Sequence, residues 1–157
     1  MKPFRMGLVI VCACIGAHAQ QLLPSEVQAI ETAWATGQRL TNTPVGITHG
    51  FDKPGAAAPV QNVTTDTTGI ARTSTKYWER IVIHLPRVVA ADHMACLMVN
   101  GSGKCRPLPV GASIDKHNSI LYWHVPNAYK GDFDLVFLQA GAGAKPGAVR
   151  VTAGTGN

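Results

Sequence analysis

The sequence predicts an all-β fold: an antiparallel sandwich of about seven short strands behind one N-terminal helix, with a small barrel as the alternative. Three observations carry this. From Gly69 onward, apolar residues recur at period two in short runs rich in β-branched and aromatic side chains. Turn residues close each run: Pro86, Asn100-Gly101, Pro107, Pro126, Lys130-Gly131 and the Gly141–Gly147 stretch. Helical periodicity is missing between the runs, and this excludes a parallel sheet with crossover helices.

The chain opens on an export signal. Lys2 and Arg5 precede an apolar run from Met6 to Ile15, and Ala17-His18-Ala19 places small residues three and one before a cut. Cleavage is therefore expected between Ala19 and Gln20. A membrane anchor needs about 20 apolar residues, and this run is roughly half that; no later segment is long and apolar enough to span. Lipidation at Cys14 would need a better box than Val11-Cys12-Ala13. Processing leaves 138 of the 157 residues, one domain with a chain long enough to bury about two-thirds of its unfolded surface. It also removes two bases and no acids, so the formal charge falls from +5 to +3. The remaining bases are scattered singly, and a nucleic-acid face is not expected.

Residues 20–68 read as a helix followed by a linker. The helix is expected over Leu22 to Leu40, with Ser25 as N-cap, Gln28 completing a capping box and Glu26 in the first turn. Val27, Ile30 and Trp34 recur at helical spacing, and Gly37 is the stop signal. One short stripe suits a helix that docks on the domain or frays, with Trp34 as its anchor. Thr41 to Thr68 is rich in Thr, Pro, Gly and Ala and reads as linker, with Val45-Gly46-Ile47 as one short strand candidate.

Residues 69–153 read as the sandwich, and 154–157 as a disordered tail. The strands are expected at Ile70–Thr75, Glu79–Leu85, Met94–Val99, Ile120–Val125, Phe133–Leu138 and Val149–Thr152. Alternation puts Phe133, Leu135 and Phe137 on one face and Asp134, Val136 and Leu138 on the other. Trp123 is assigned to the core.

Cys12 and Cys14 leave with the signal, so Cys96 and Cys105 remain. Asn100-Gly101 between them is a strong type I′ hairpin signal. Centred there, the hairpin sets Cys96 opposite Cys105 as a non-hydrogen-bonded pair, about 4.5 Å apart at Cα. That is at the short end of what a disulfide accepts, and an exported chain meets an oxidising compartment. A bridge is expected, pinning the hairpin more than it holds the domain. No cofactor or metal is expected, since two cysteines nine apart without CxxC or HxH do not make a zinc site.

Pro107-Leu108-Pro109-Val110-Gly111-Ala112-Ser113-Ile114-Asp115 is followed by Ile120-Leu121-Tyr122-Trp123 and then by Gly131-Asp132-Phe133-Asp134-Leu135-Val136-Phe137. Over about residues 80–152 this resembles the Ig-like, cadherin-like repeats of bacterial surface proteins. Those repeats carry a leucine-proline-x-glycine turn and a later glycine-x-aromatic-x-leucine-x-aromatic strand. The resemblance implies an Ig-like sandwich used for adhesion, spacing or docking. Cadherin-like relatives bind calcium through clustered acids; here only Asp132 and Asp134 lie close, and six to eight oxygens are needed, so calcium is not expected.

The five histidines left after processing, His49, His84, His93, His117 and His124, show no ligand spacing. Gly111-Ala-Ser113-Ile-Asp115 lacks the second glycine of a nucleophile elbow. Gly141-Ala-Gly-Ala-Lys145-Pro-Gly147 lacks the spacing of a phosphate loop. The expectation is an exported, non-enzymatic domain that binds a protein or other cell-envelope partner. The interaction edge is placed at Val149, Arg150 and Val151, because the last strand has no later neighbour. The alternative is a small secreted enzyme or inhibitor whose site is assembled only in three dimensions, with His84 and His124 as candidates on facing strands.

Overall fold

The structure, a computed structural model, describes residues 22–50, 59–87, 91–99 and 102–154. The expected signal segment and its expected Ala19–Gln20 cleavage point, the Asn100-Gly101 pair and residues 155–157 lie outside the described residues. In chain order the elements are α1 (Pro24–Ala35), β1 (Pro44–Gly50), β2 (Gln61–Thr64), β3 (Ile70–Thr75), β4 (Arg80–His84), β5 (His93–Met98), β6 (Cys105–Arg106), β7 (Ala112–Asp115), β8 (Ile120–His124), β9 (Gly131–Gln139) and β10 (Gly147–Ala153).

The strands form two sheets, β2-β1-β4-β8-β7 and β3-β10-β9-β5-β6. Their facing sides enclose Val45, Ile47, Ile81, Ile83, Leu121, Trp123, Leu135, Phe137, Val149 and Val151, all nearly sealed from solvent. This is the all-β sandwich. With β1, β4, β8 and β7 as strands A, B, E and D, and β5, β9 and β10 as C, F and G, the order is that of a constant-type Ig sandwich. The pairing is not wholly antiparallel: β3 runs parallel to β10 over six residue pairs.

Ten strands stand among the described residues where about seven are expected. Two of the extra ones correct the linker reading. β1 lies inside its sheet, between β2 and β4. Only Val45 and Ile47 need be apolar, because the strand's other face is turned away from the core, and two apolar residues are too few to register as a pattern. Gly46 occupies that other face under Val60 and His84, where a Cβ would meet Val60 Cγ1 at 3.1 Å and His84 Cβ at 3.2 Å. The sandwich therefore begins at Pro44 rather than at Gly69.

The second correction concerns Val149, Arg150 and Val151. They belong to β10, hydrogen-bonded to β9 on one side and β3 on the other, so they form no edge. A strand from earlier in the chain, β3, supplies the outward neighbour. Arg150 points away from the core and forks onto Asp134 across the ladder, Nε to Oδ1 at 2.7 Å and Nη2 to Oδ2 at 2.9 Å. The edges are β2 and β7 of one sheet and β3 and β6 of the other.

α1 covers the outer side of the β9 sheet. Ile30 is fully buried against Cys96, Met98, Val136, Leu138 and Ala148, with Trp34 partly buried beside them. Both faces of β9 are thus covered, and this is why Asp134 to Leu138 reads as an unbroken buried run. The helix lies inside the expected range but is shorter, ending at Ala35 instead of Leu40, and its cap is two residues before Ser25. Leu23 is the N-cap, Pro24 takes the first helical position and the Glu26 carboxylate accepts the Leu23 N–H at 2.8 Å. Proline suits that position because its missing N–H would have no helical partner there. Gly37 ends the element in the left-handed region, φ 73°. Arg39 stacks its guanidinium 3.5 Å from the centre of the Trp34 ring.

Polar contacts tie α1 down. Glu31 accepts from the Cys105 N–H at 2.9 Å and from Lys104 Nζ at 3.0 Å, and Lys116 Nζ reaches Glu26 at 2.5 Å. Burial pushes the Glu26 carboxyl up, but Lys116 and the Leu23 N–H outweigh it and hold it below the ordinary glutamate range. A depressed carboxyl contributes stability above its unfolded-state pKa and loses it as pH falls through the folded value. Acidification through about pH 4 is expected to loosen α1 before the sandwich opens. Protection of the α1 amides, taken relative to their intrinsic exchange rates at each pH, should fall between pH 7 and pH 3, and Glu26→Gln should lower it already at pH 7. Equal protection at both pH values would contradict this account.

The disulfide between Cys96 and Cys105 is present, with Cα atoms 5.6 Å apart. The register around it differs from the expected one. Met98 faces Cys105 and Leu97 faces Arg106, so the two cysteines are joined diagonally, not directly across. Ser102 explains the shift. Its N–H and hydroxyl both donate to the Val99 carbonyl, and its Oγ accepts from the Lys104 N–H. These local bonds replace rungs of the ladder, and Gly103 turns the chain at φ 65°.

Candidate functional site at the β3–β4 turn

β3 passes into β4 through Lys76-Tyr77-Trp78-Glu79, a tight connection without Gly, Pro, Asn or Asp. The chain still has to reverse, and Trp78 does so at φ 62°. A bulky residue in the left-handed region costs about 1–3 kcal/mol and persists only when its surroundings enforce it. Here they do. Trp78 N–H donates to the Val125 carbonyl at 2.9 Å, and Val125 N–H returns to the Glu79 carbonyl at 3.1 Å. Glu79 folds back onto the turn and accepts from Lys76 N–H at 2.9 Å and Thr75 Oγ1 at 2.8 Å. Tyr77 is set against Gly154, where a Cβ would fall 2.6 Å from its Oη.

The turn sends its last two side chains, Trp78 and Glu79, in opposite directions. Trp78 goes outward and remains 59% exposed, its ring edge-on to His124 with centroids 6.1 Å apart. His124 N–H donates to the Gly111 carbonyl, and the preceding Val110 is 71% exposed. Gly111 is the glycine of the leucine-proline-x-glycine turn. Its φ is 81°, and a Cβ would sit 2.5 Å from the His124 carbonyl oxygen, so only glycine fits. Trp78, His124 and Val110 therefore share one corner of the β1 sheet. No described helix packs on the outer face of that sheet, whereas α1 lies on the other.

Glu79 turns towards an open polar groove where β1 and β2 of one sheet meet β3 of the other, lined by His49, Gln61, Thr73, Ser74, Thr75 and Lys76. His49, near the end of β1, brings Nε2 to 3.1 Å from Thr73 Oγ1 on β3 and Nδ1 to 3.6 Å from Glu79 Oε2. The side chains of His49 and Glu79 are only 20% and 12% exposed.

The structure does not bring His84 and His124 together. Both lie exposed on the outer face of the β1 sheet, His84 opposite Ile120 and His124 opposite Arg80. That is four residues along the ladder, or about 13 Å at ~3.3 Å per residue. His93 is a core residue: it is 1% exposed, its Nδ1 is 2.9 Å from Ser119 Oγ, and burial pushes its imidazole below the ordinary histidine range. Asp132 and Asp134 are engaged by Thr152 and Arg150. Among the described residues, no three of His, Cys, Asp and Glu are grouped to hold a metal ion.

Sequence reasoning missed Trp78, His49, Thr73 and Glu79. His49, Thr73 and Glu79 are dispersed over thirty residues, and no spacing rule joins them. Trp78 had one legible signal: two strands too close for a loop, joined by residues none of which favours a left-handed backbone. No family model, curated protein or solved structure matches this chain.

Proposed function

We propose that the protein is an exported interaction domain that docks a cell-envelope protein through the corner formed by Trp78, His124 and Val110. The observation that carries this reading is Trp78, a large aromatic held in solvent at a backbone cost. A tryptophan gains little for the fold there, and tryptophan is among the residues most enriched at binding hot spots. Strained backbone recurs at binding sites because the surrounding structure preorganises it. His124 gives the ring a polar neighbour, and Val110 extends the apolar surface. Calcium, nucleic acid and cofactors have no part in this reading.

Trp78→Ala is expected to weaken capture of the partner from the envelope fraction by at least about thirtyfold, a hot-spot loss of ~2 kcal/mol. The fold should be unaffected, since no core contact is lost. His84→Ala, away from the corner, should bind as the unmodified protein does. Equal capture by Trp78→Ala and the unmodified protein would sink the proposal.

A further inference from the structure

We propose that the inner side of the same turn is an acyl-transfer site, with Thr73 as nucleophile, His49 as general base and Glu79 as the group that orients His49. The claim is independent of the docking corner, since Trp78 points away from this groove.

The geometry carries it. Nucleophilic catalysis by a hydroxyl needs a base within hydrogen-bond reach, and a third group that fixes the base. Thr73 Oγ1 lies 3.1 Å from His49 Nε2, and the Glu79 carboxylate faces the other ring nitrogen at 3.6 Å. With the proton on Nδ1, towards the acid, Nε2 is left to accept from the hydroxyl. Glu79 is itself fixed by Thr75 Oγ1 and the Lys76 N–H. The three groups come from β1, β3 and the turn before β4. All of them line one open polar groove, where a small ester can reach the hydroxyl from solvent. Gln61 and Lys76 line it as well, and the proposal assigns the Gln61 amide and the Lys76 ammonium as donors to the developing oxyanion.

The reaction balances as ester hydrolysis. Thr73 Oγ1 adds to the ester carbonyl carbon while His49 Nε2 takes its proton. The tetrahedral oxyanion collapses, the carbon–oxygen bond to the leaving alcohol breaks, and the imidazolium returns the proton to that alcohol. Water then gives a proton to Nε2, adds to the acyl-threonine carbon and releases the acid, and Thr73 recovers its proton. One ester and one water become one acid and one alcohol.

The test uses the processed, disulfide-bonded protein and p-nitrophenyl acetate. Brief exposure, acid quench and peptide mass mapping should find an acetyl group, about 42 Da, on Thr73. Thr73→Ala should abolish both the adduct and the enzyme-dependent release of p-nitrophenol. Thr73→Ser, with a less hindered hydroxyl, should retain or exceed the original rate. His49→Ala should slow release by about 10²-fold or more. Acetylation confined to surface lysines, or equal release by Thr73→Ala, overturns the proposal. The adduct is sought on the unmodified protein, so a variant that fails to fold does not obscure the result.

Discussion

Replacing Trp123 with alanine is expected to lower the stability of the domain by about 3–5 kcal/mol, the usual cost of emptying a buried aromatic site. Trp123 is fully buried in the centre of the sandwich. Phe133 and Tyr129 meet it edge-on, with centroids 5.4 and 5.7 Å away. Its Nε1 donates to the Val110 carbonyl at 3.2 Å, just before the leucine-proline-x-glycine corner closes at Gly111. Tryptophan therefore fills the core and also holds the loop that presents Val110. Domains of this kind have about 5–15 kcal/mol in total, so the loss is a large share. Urea unfolding measures it. Trp123→Phe should cost less but still leave the Val110 carbonyl without its donor. A loss below about 1 kcal/mol for the alanine variant would mean that the core does not depend on this ring.

Removing the disulfide ranks second. Closing a loop of about ten residues is worth about 2.7 kcal/mol by chain entropy. The sequence suggests a bridge that pins the hairpin more than it holds the domain, and the structure adds a link to the helix. Cys96 is fully buried beneath α1, and the Cys105 N–H donates to Glu31 on that helix. Replacing both cysteines with alanine is expected to lower stability by about 2–3 kcal/mol and to raise amide exchange in α1 as well as in the hairpin. Thiol titration of the denatured, unmodified protein with peptide mapping should find neither Cys96 nor Cys105 free. Unchanged exchange in α1 would restrict the bridge to its hairpin.

The elements with strong local signals were legible from the sequence. β3, β4, β5, β8, β9 and β10 stand within two residues of the expected runs, because alternating β-branched and aromatic residues suit a half-buried pleat wherever the strand is placed. The inward set Phe133, Leu135 and Phe137 and the buried Trp123 follow from the same alternation. β2 and β7 were missed. Each is four residues long and lies at an edge, where one neighbour sets the conformation and composition says little.

By itself the sequence determined the fold class, the core face of β9 and the cysteine partnership, each of which rests on residues close together in the chain. Only the tertiary structure decided which strands are edges, since pairing β10 with β3 joins segments almost eighty residues apart. It also decided the diagonal register of the disulfide, through local bonds of Ser102 that compete with the ladder. The meeting of His49, Thr73 and Glu79 is tertiary for the same reason. Each residue is ordinary in its own segment, and only the packing of the two sheets brings the imidazole between a hydroxyl and a carboxylate.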